Sequence, residues 1–450
     1  MTPDDAIDRY HELLARDGVA EETARRLAEA IDARRLAFGT RSLCDVFRPR
    51  FLTPERERLL CDRAGIIAAA LRRVQDAAAQ NAELLRQFRL LPWEDALFPI
   101  PSRIEHPCPV SRLDGFFAAD GRLRFTEMNA QSPAGAGFTD ALSEVFADLP
   151  AMQAMRDEHA IRSYRARDGT LAALRTAWRD WSGGTADPPG IAIVDWPDVP
   201  THLDFQLLRE RFEAEGIPTR VLSPDDLEFD GHVLAADGEP IPLVYRRVLM
   251  VELIGRCGLE HPLIHAARAG AACIVNPISC RLPGKKASFA VLSDESNAEL
   301  FTPVQRAAIR DNIPWTRLLE ERRTVIAGQS IDLVPFVARN KDRLVLKPND
   351  AYGGRSVVLG WTVDDATWES AVHAGLGIPT IVQERIDLAC ERYPVFANDR
   401  LAFEPRWEDT CPFVGPDDGV FGCLSRLSSV PLVNVTAGGG AMVPTFVLDR

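Results

Sequence analysis

The sequence has no CxxC pair, no excess of positive charge, and no apolar run approaching the ~20 residues needed to span a bilayer. Each absence narrows the field. The nine cysteines (Cys44, Cys61, Cys108, Cys257, Cys273, Cys280, Cys390, Cys411 and Cys423) are odd in number and scattered, and read as reduced thiols. The formal net charge of −13 argues against a protein that grips nucleic acid by neutralising phosphates, although a local basic cleft could still hold a nucleotide. The start, MTPDDAIDRYHELL, has neither a basic n-region nor an apolar h-region, so a cytoplasmic protein with no membrane partner is expected.

What is present is ordinary for a folded chain: 46% apolar and 26% charged residues over 450 positions. At about 150 residues per domain, that length predicts two or three domains. Residues 1–90 read as a helical N-terminal subdomain, with apolar residues three to five apart and Thr53-Pro54-Glu55 as a helix start. In 91–189, SRLDGFF and LRFTEMN read as two strands joined by the turn AADG, followed by helices over 143–155 and 162–181. Residues 190–279 alternate strands (IAIVDW, TRVLS, IPLVYRRVL, ACIVNP) with helices, as in a small α/β domain. Residues 280–450 carry LVLKP, VVLGW and TIVQERI between helical stretches. The expected fold class is therefore mixed α/β (α+β) and multidomain.

Two clusters carry chemistry. In Leu344-Val-Leu-Lys347-Pro-Asn-Asp350-Ala-Tyr-Gly353-Gly354, a strand delivers a lysine to a Gly-Gly turn. Glycines let backbone amides approach phosphate, and Lys347 supplies a point charge. No GK[ST] follows, so this is not a P-loop; a plain hairpin with a Gly-Gly turn is the alternative. Upstream, Leu282-Pro-Gly-Lys285-Lys286 puts two lysines at a helix start, a phosphate site or a solvated surface. Downstream, Ile381-Val-Gln383-Glu384 is an apolar strand turning polar, suited to an adenine edge or simply leaving the core.

The second cluster is Ser111-Arg112-Leu-Asp114 with Phe125-Thr-Glu127-Met-Asn129. Strand residues two apart share a face, so Glu127 and Asn129 point together, and a hairpin returns Asp114 and Arg112 beside them. Hard oxygen ligands of this kind suit Mg²⁺, and an exposed polar strand face is the alternative. Arg246 or Arg247, ending IPLVYRR, offers a guanidinium fork to a substrate carboxylate. Gly438-Gly439-Gly440 reads as a mobile lid or a surface turn, and Arg426 as a partner for a carboxylate or phosphate or, by default, a surface ion pair.

The order of these motifs over residues 100–450 resembles the circularly permuted ATP-grasp ligases. The likeness is to glutathionylspermidine synthetases at 112–133, and to eukaryotic-type glutathione synthetases at LVLKPNDAYGG and the C-terminal glycine loop. The resemblance implies an ATP-grasp fold with a small α/β substrate domain. It also implies an ATP-dependent carboxylate–amine ligase, with ATP and Mg²⁺ as cofactors, that forms an amide through an acyl phosphate. By the same resemblance, Asp114, Glu127 and Asn129 are Mg²⁺ ligands, with Asp350 near a further ligand position. Arg112 steadies the phosphoryl group, Lys347 and Lys286 (or Lys285) bind phosphates, and Gln383 and Glu384 form the adenine hinge. The partners implied are a small-molecule carboxylate and an amine, and a homo-oligomer is compatible with the chain. A kinase or transferase on the same fold, or a non-catalytic nucleotide-binding scaffold, remains the alternative.

Overall fold

The computed structural model describes residues 2–351, 356–397, 400–433 and 440–449. The N-terminal helices form where the sequence places caps. The Thr2 hydroxyl accepts from the Asp5 N–H at the head of Pro3–Leu14, and Thr53 caps Pro54–Ala78 with proline in the first turn. The long helix Pro54–Ala78 buries Leu60, Ala64, Ile67, Leu71 and Val74, one stripe at helical spacing. The N-terminal stretch is not wholly helical: Arg50–Leu52 is a strand running parallel to Thr445–Leu448, which also pairs with Ile161–Ser163. Residues near both ends of the chain share one core, which includes Tyr10 and Leu27 as well as Phe413 and Phe446.

The hairpin expected at 111–129 is present as strands Ser111–Phe117 and Leu123–Asn129, turning at Gly121 with φ 79°. They sit at one end of a seven-stranded sheet that continues through Cys411–Val414, Val420–Ser428, Arg400–Glu408 and Cys390–Ala397. The single helix expected over 143–155 is two, Ala136–Ala147 and Pro150–Glu158, because Pro150 starts a new helix and the small-residue run 134–137 leads directly into the first. There Gly137 is required: a Cβ would meet the Asp204 carbonyl oxygen at 2.9 Å.

The small α/β sheet is all parallel, in the order Cys273–Val275, Leu243–Arg246, Ile191–Val194, Thr219–Leu222. The chain runs outward from Ile191–Val194 to one side first, then returns to the other. The boundary between Ile191–Val194 and Leu243–Arg246 is thus the topological switch point, where open α/β sheets leave a crevice at the strands' carboxyl ends. A third, four-stranded antiparallel sheet joins Thr316–Leu318, Thr380–Glu384, Leu344–Pro348 and Val358–Leu359 over a core around Trp368 and Leu346. No helix among the described residues is long and apolar enough to cross a membrane.

Candidate functional site

The large sheet, the small parallel sheet and the four-stranded sheet meet around a cavity of about 520 Å³. Its centre is built by strand register. Arg112 lies opposite Asn129 and Asp114 opposite Glu127, so four polar side chains of one hairpin share a face. Across from them, Lys347 comes off the strand Leu344–Pro348, and Lys286 caps the helix Ala287–Ser293.

The charges interlock. Asp114 accepts from Arg112 Nε at 2.8 Å and from Arg426 Nη2 at 2.7 Å, and Arg426 Nε also donates to Asp409 at 2.6 Å. Burial alone would raise the Asp114 pKa, but Arg112 and Arg426 outweigh it and hold the carboxyl far below its ordinary range. Glu127 is treated likewise: burial opposes its charge, and Lys286, at 3.2 Å, more than offsets the effect. Lys286 Nζ also donates to the Ala351 carbonyl at 2.6 Å. Lys347 has a single hydrogen-bond partner among the described residues, Gln383 Oε1 at 2.8 Å, and burial lowers its pKa from 10.5 to about 8. Asn129 Nδ2 is buried without a partner among the described residues. An orphaned donor and an under-partnered lysine in one cavity leave room for an anion.

Arg112, Asp114, Glu127, Asn129, Lys286, Lys347, Gln383 and Glu384, drawn from separate stretches of sequence, therefore line one cavity. Four other expectations change. Lys285 is turned away: it is 1% exposed, and its Nζ bonds Glu94 and Asp350 at 2.6 Å each. Asp350 is correspondingly held by Lys285 and Arg281 and borders a smaller neighbouring pocket. Arg246 is fully buried, donating to the carbonyls of Val248 and Asn276, so it anchors the crossover and Arg247 is the arginine that reaches the cavity. Gln383 is 1% exposed, with its amide spent on Lys347 and Thr316, so its side chain orients the lysine and does not face an adenine. Gly353, Gly354, Gly438 and Gly439 lie outside the described residues; Gly440 begins the strand Gly440–Val443.

The sequence reading undervalued Arg426, which is part of the cavity wall and not a surface group, and passed over Asp195. Both carried a signal: Arg426 interrupts an apolar strand, and Asp195 ends the buried strand Ile191–Val194 at the switch point. A larger cavity of about 780 Å³ lies beyond Glu384–Asp387, but its arginines are engaged locally, Arg306 by the Phe301 carbonyl and Arg385 by Asp387. It includes neither Asp114 nor Glu127, so the smaller cavity is the candidate site.

No protein family's sequence profile matches the chain, and no curated protein does. Among solved structures, the fold is similar to that of a glutathione synthetase-like effector from Globodera pallida, in its apo form, at TM-score 0.61 and 13% identity over 99% of this chain and 98% of that one. D-alanyl-alanine synthetase A from Vibrio cholerae O1 biovar eltor aligns at TM-score 0.26 and 10% identity over 50% of this chain and 68% of that one, too little to argue from. The chain is thus a multidomain mixed α/β protein. More particularly, it shares its full-length fold with a glutathione synthetase-like protein; at this identity the likeness speaks for the fold alone.

Proposed function

We propose that this protein is an ATP-dependent ligase of the ATP-grasp type that joins a carboxylate to an amine. The observation that carries the reading is the meeting, in one cavity, of Lys286 and Lys347 with the Glu127–Asn129 face of the hairpin. The donor set fits Mg·ATP. Two lysines face a region where Asn129 Nδ2 lacks a partner among the described residues, and Val345, Leu359, Trp361 and Ile386 offer an apolar shelf for a purine. Among the described residues there is no cluster of three His, Cys, Asp or Glu side chains for a metal, but Mg²⁺ bound with phosphates needs only one or two carboxylates. Glu127 and Asn129 would hold it; Asp114 would join only by releasing one of its arginines.

When bound, ATP would supply the phosphoryl group that activates the carboxylate, with Mg²⁺ neutralising its charge. The protein's own residues then have distinct tasks. Lys286 and Lys347 bind phosphate oxygens, Arg112 and Arg426 present fixed positive charge, and Gln383 keeps Lys347 aimed. Positioning and neutralisation suffice for such chemistry, and no nucleophilic triad is required.

The test is ADP release with Mg·ATP against a panel of amino acids, short peptides and polyamines, comparing wild type with Glu127→Ala. Release stimulated by one acid with one amine, and reduced at least about a hundredfold in the variant, is the expected outcome. A phosphorylated product in place of an amide would make the protein a kinase or transferase. A second reading, a non-catalytic scaffold, draws on the saturation of Asp114 by two arginines. It predicts that no pair of acid and amine stimulates ADP release, even where millimolar Mg·ATP binds.

A further inference from the structure

Beyond the central charged band, the cavity changes character. Its far wall is apolar and is built by elements remote from the purine shelf. Phe38 stands on a short hairpin whose Gly39 N–H donates to the Pro200 carbonyl at 3.2 Å, beside Val199. Met442 lies opposite Arg426 in strand register, and Leu424, two residues before Arg426, shares that arginine's face. The Met442 N–H donates to the Leu43 carbonyl at 2.7 Å, tying this wall to the same N-terminal hairpin. Leu424 and Met442 belong to the main core, on which Phe38 and Val199 pack, whereas the strand that carries Val345 buries its neighbours Leu344 and Leu346 in the separate core around Trp368. The wall is therefore packed on the main core.

Where this wall meets the small sheet, Asp195 and Arg247 stand at the carboxyl ends of neighbouring parallel strands, at the switch point. Asp195 accepts the Trp196 N–H at 2.8 Å and forms no ion pair among the described residues. Burial raises its pKa to about 6. Arg247 is 3% exposed; its Nη1 donates to the carbonyl of Pro133 and the hydroxyl of Tyr245, while its buried Nε has no partner among the described residues. A carboxylate with no ion pair among the described residues, beside a guanidinium in the same cavity wall, matches the two ends of an amino acid.

We infer that one of the two substrates is an α-amino acid with an apolar side chain, its ammonium at Asp195, its carboxylate at Arg247, and its side chain against Phe38, Val199, Leu424 and Met442. The inference rests on the ligase reading only for the word substrate; the subsite itself is defined by the residues named. A polyamine or an acidic peptide would leave that apolar wall facing polar groups, which costs affinity. Apolar contact discriminates by about 10- to 200-fold for each methylene gained or lost in a fitted pocket, so leucine or phenylalanine should exceed glycine by at least about tenfold.

The experiment is equilibrium dialysis of labelled leucine, phenylalanine, glycine, glutamate and spermidine against the full chain, with and without Mg²⁺ and a non-hydrolysable ATP analogue whose own binding is read in parallel. Leucine or phenylalanine should bind at least about tenfold more tightly than the other ligands. Asp195→Asn should lower that affinity, and Phe38→Glu, on the partly exposed hairpin, should do so with the melting temperature unchanged. Equal or tighter binding of glycine, glutamate or spermidine would overturn the inference, as would analogue binding with no apolar amino acid bound in any condition. Apolar amino-acid binding without analogue binding would uphold the subsite and remove the ligase reading instead.

Discussion

Lys285 and Lys286 are adjacent in sequence and face opposite environments. Behind the cavity, Lys285 and Arg281 meet Glu94 and Asp350: two cations, two carboxylates, each engaged. In front, Lys286, Lys347, Arg112 and Arg426 meet Glu127, Asp114 and Asp409. Within this cluster four cations meet three carboxylates, and Asn129 Nδ2 has no partner among the described residues. The difference separates a structural ion-pair knot from a site. A knot balances its own charge and has nothing left to bind, whereas a site carries a surplus that an anion would complete.

Removing a member of the closed cluster should therefore cost the most stability. Lys285→Met leaves Glu94, 3% exposed, with one cation where it had two. We expect a loss of about 3 kcal/mol, the low end for a broken buried pair because Arg281 remains. Urea unfolding would measure it, and an unchanged midpoint would erase the distinction drawn here. Lys347→Met should do the reverse. It discards a lysine that burial already disfavours, so the midpoint should hold or rise. Nucleotide affinity, read by calorimetry, should fall by about 10- to 100-fold, the scale of one charge-assisted hydrogen bond.

That contrast also marks how far the sequence could be read. The hairpin was legible because period-two spacing fixes which residues share a face, and Arg112, Asp114, Glu127 and Asn129 do share one. Lys347 was legible because a lysine ending an apolar strand is out of place in a core. The choices between Lys285 and Lys286, and between Arg246 and Arg247, were not. Each pair straddles an element boundary, where a shift of one residue reverses the direction of the side chain. The partners that decide them, Glu94 for Lys285 and Asn276 for Arg246, lie far along the chain or across a sheet. Gln383 was misjudged for a related reason: its strand is paired on both sides, by Thr316–Leu318 and Leu344–Pro348, so its backbone is used within the sheet.

The surplus of cations should be visible in pH. Lys347 is lowered from 10.5 to about 8, with burial the main cause and Glu127 opposing it. An anion binds the protonated form, so nucleotide affinity should be flat below about pH 8. Above that it should weaken by up to about tenfold per unit, until the bound-state pKa is reached. Stability should run the other way across the same window. The unfolded lysine holds its proton up to about 10.5, so between 8 and 10.5 the unfolded state binds more protons, and the Lys347 contribution to stability rises with pH. In Lys347→Met both slopes should flatten; affinity that stays steep would assign the titration to another group.

The mildest perturbation tests whether Lys347 is aimed or merely present. Gln383 Oε1 is its hydrogen-bond partner among the described residues, and Gln383 Nε2 is fixed in turn by the Thr316 hydroxyl at 3.0 Å. Gln383→Leu replaces the amide with an apolar side chain of similar size and frees the amine, leaving its charge in the cavity. The expected loss of nucleotide affinity is about 0.5–1.5 kcal/mol, less than for removal of the lysine itself. Because a leucine donates nothing to Thr316, a matched Thr316→Val variant separates the two bonds. If aim is what matters, Thr316→Val should reproduce part of the Gln383→Leu defect in affinity, although it touches no group in contact with the nucleotide. Equal affinities for wild type and both variants would mean that Lys347 acts by charge alone, and that the open cluster tolerates loose geometry that the closed one does not.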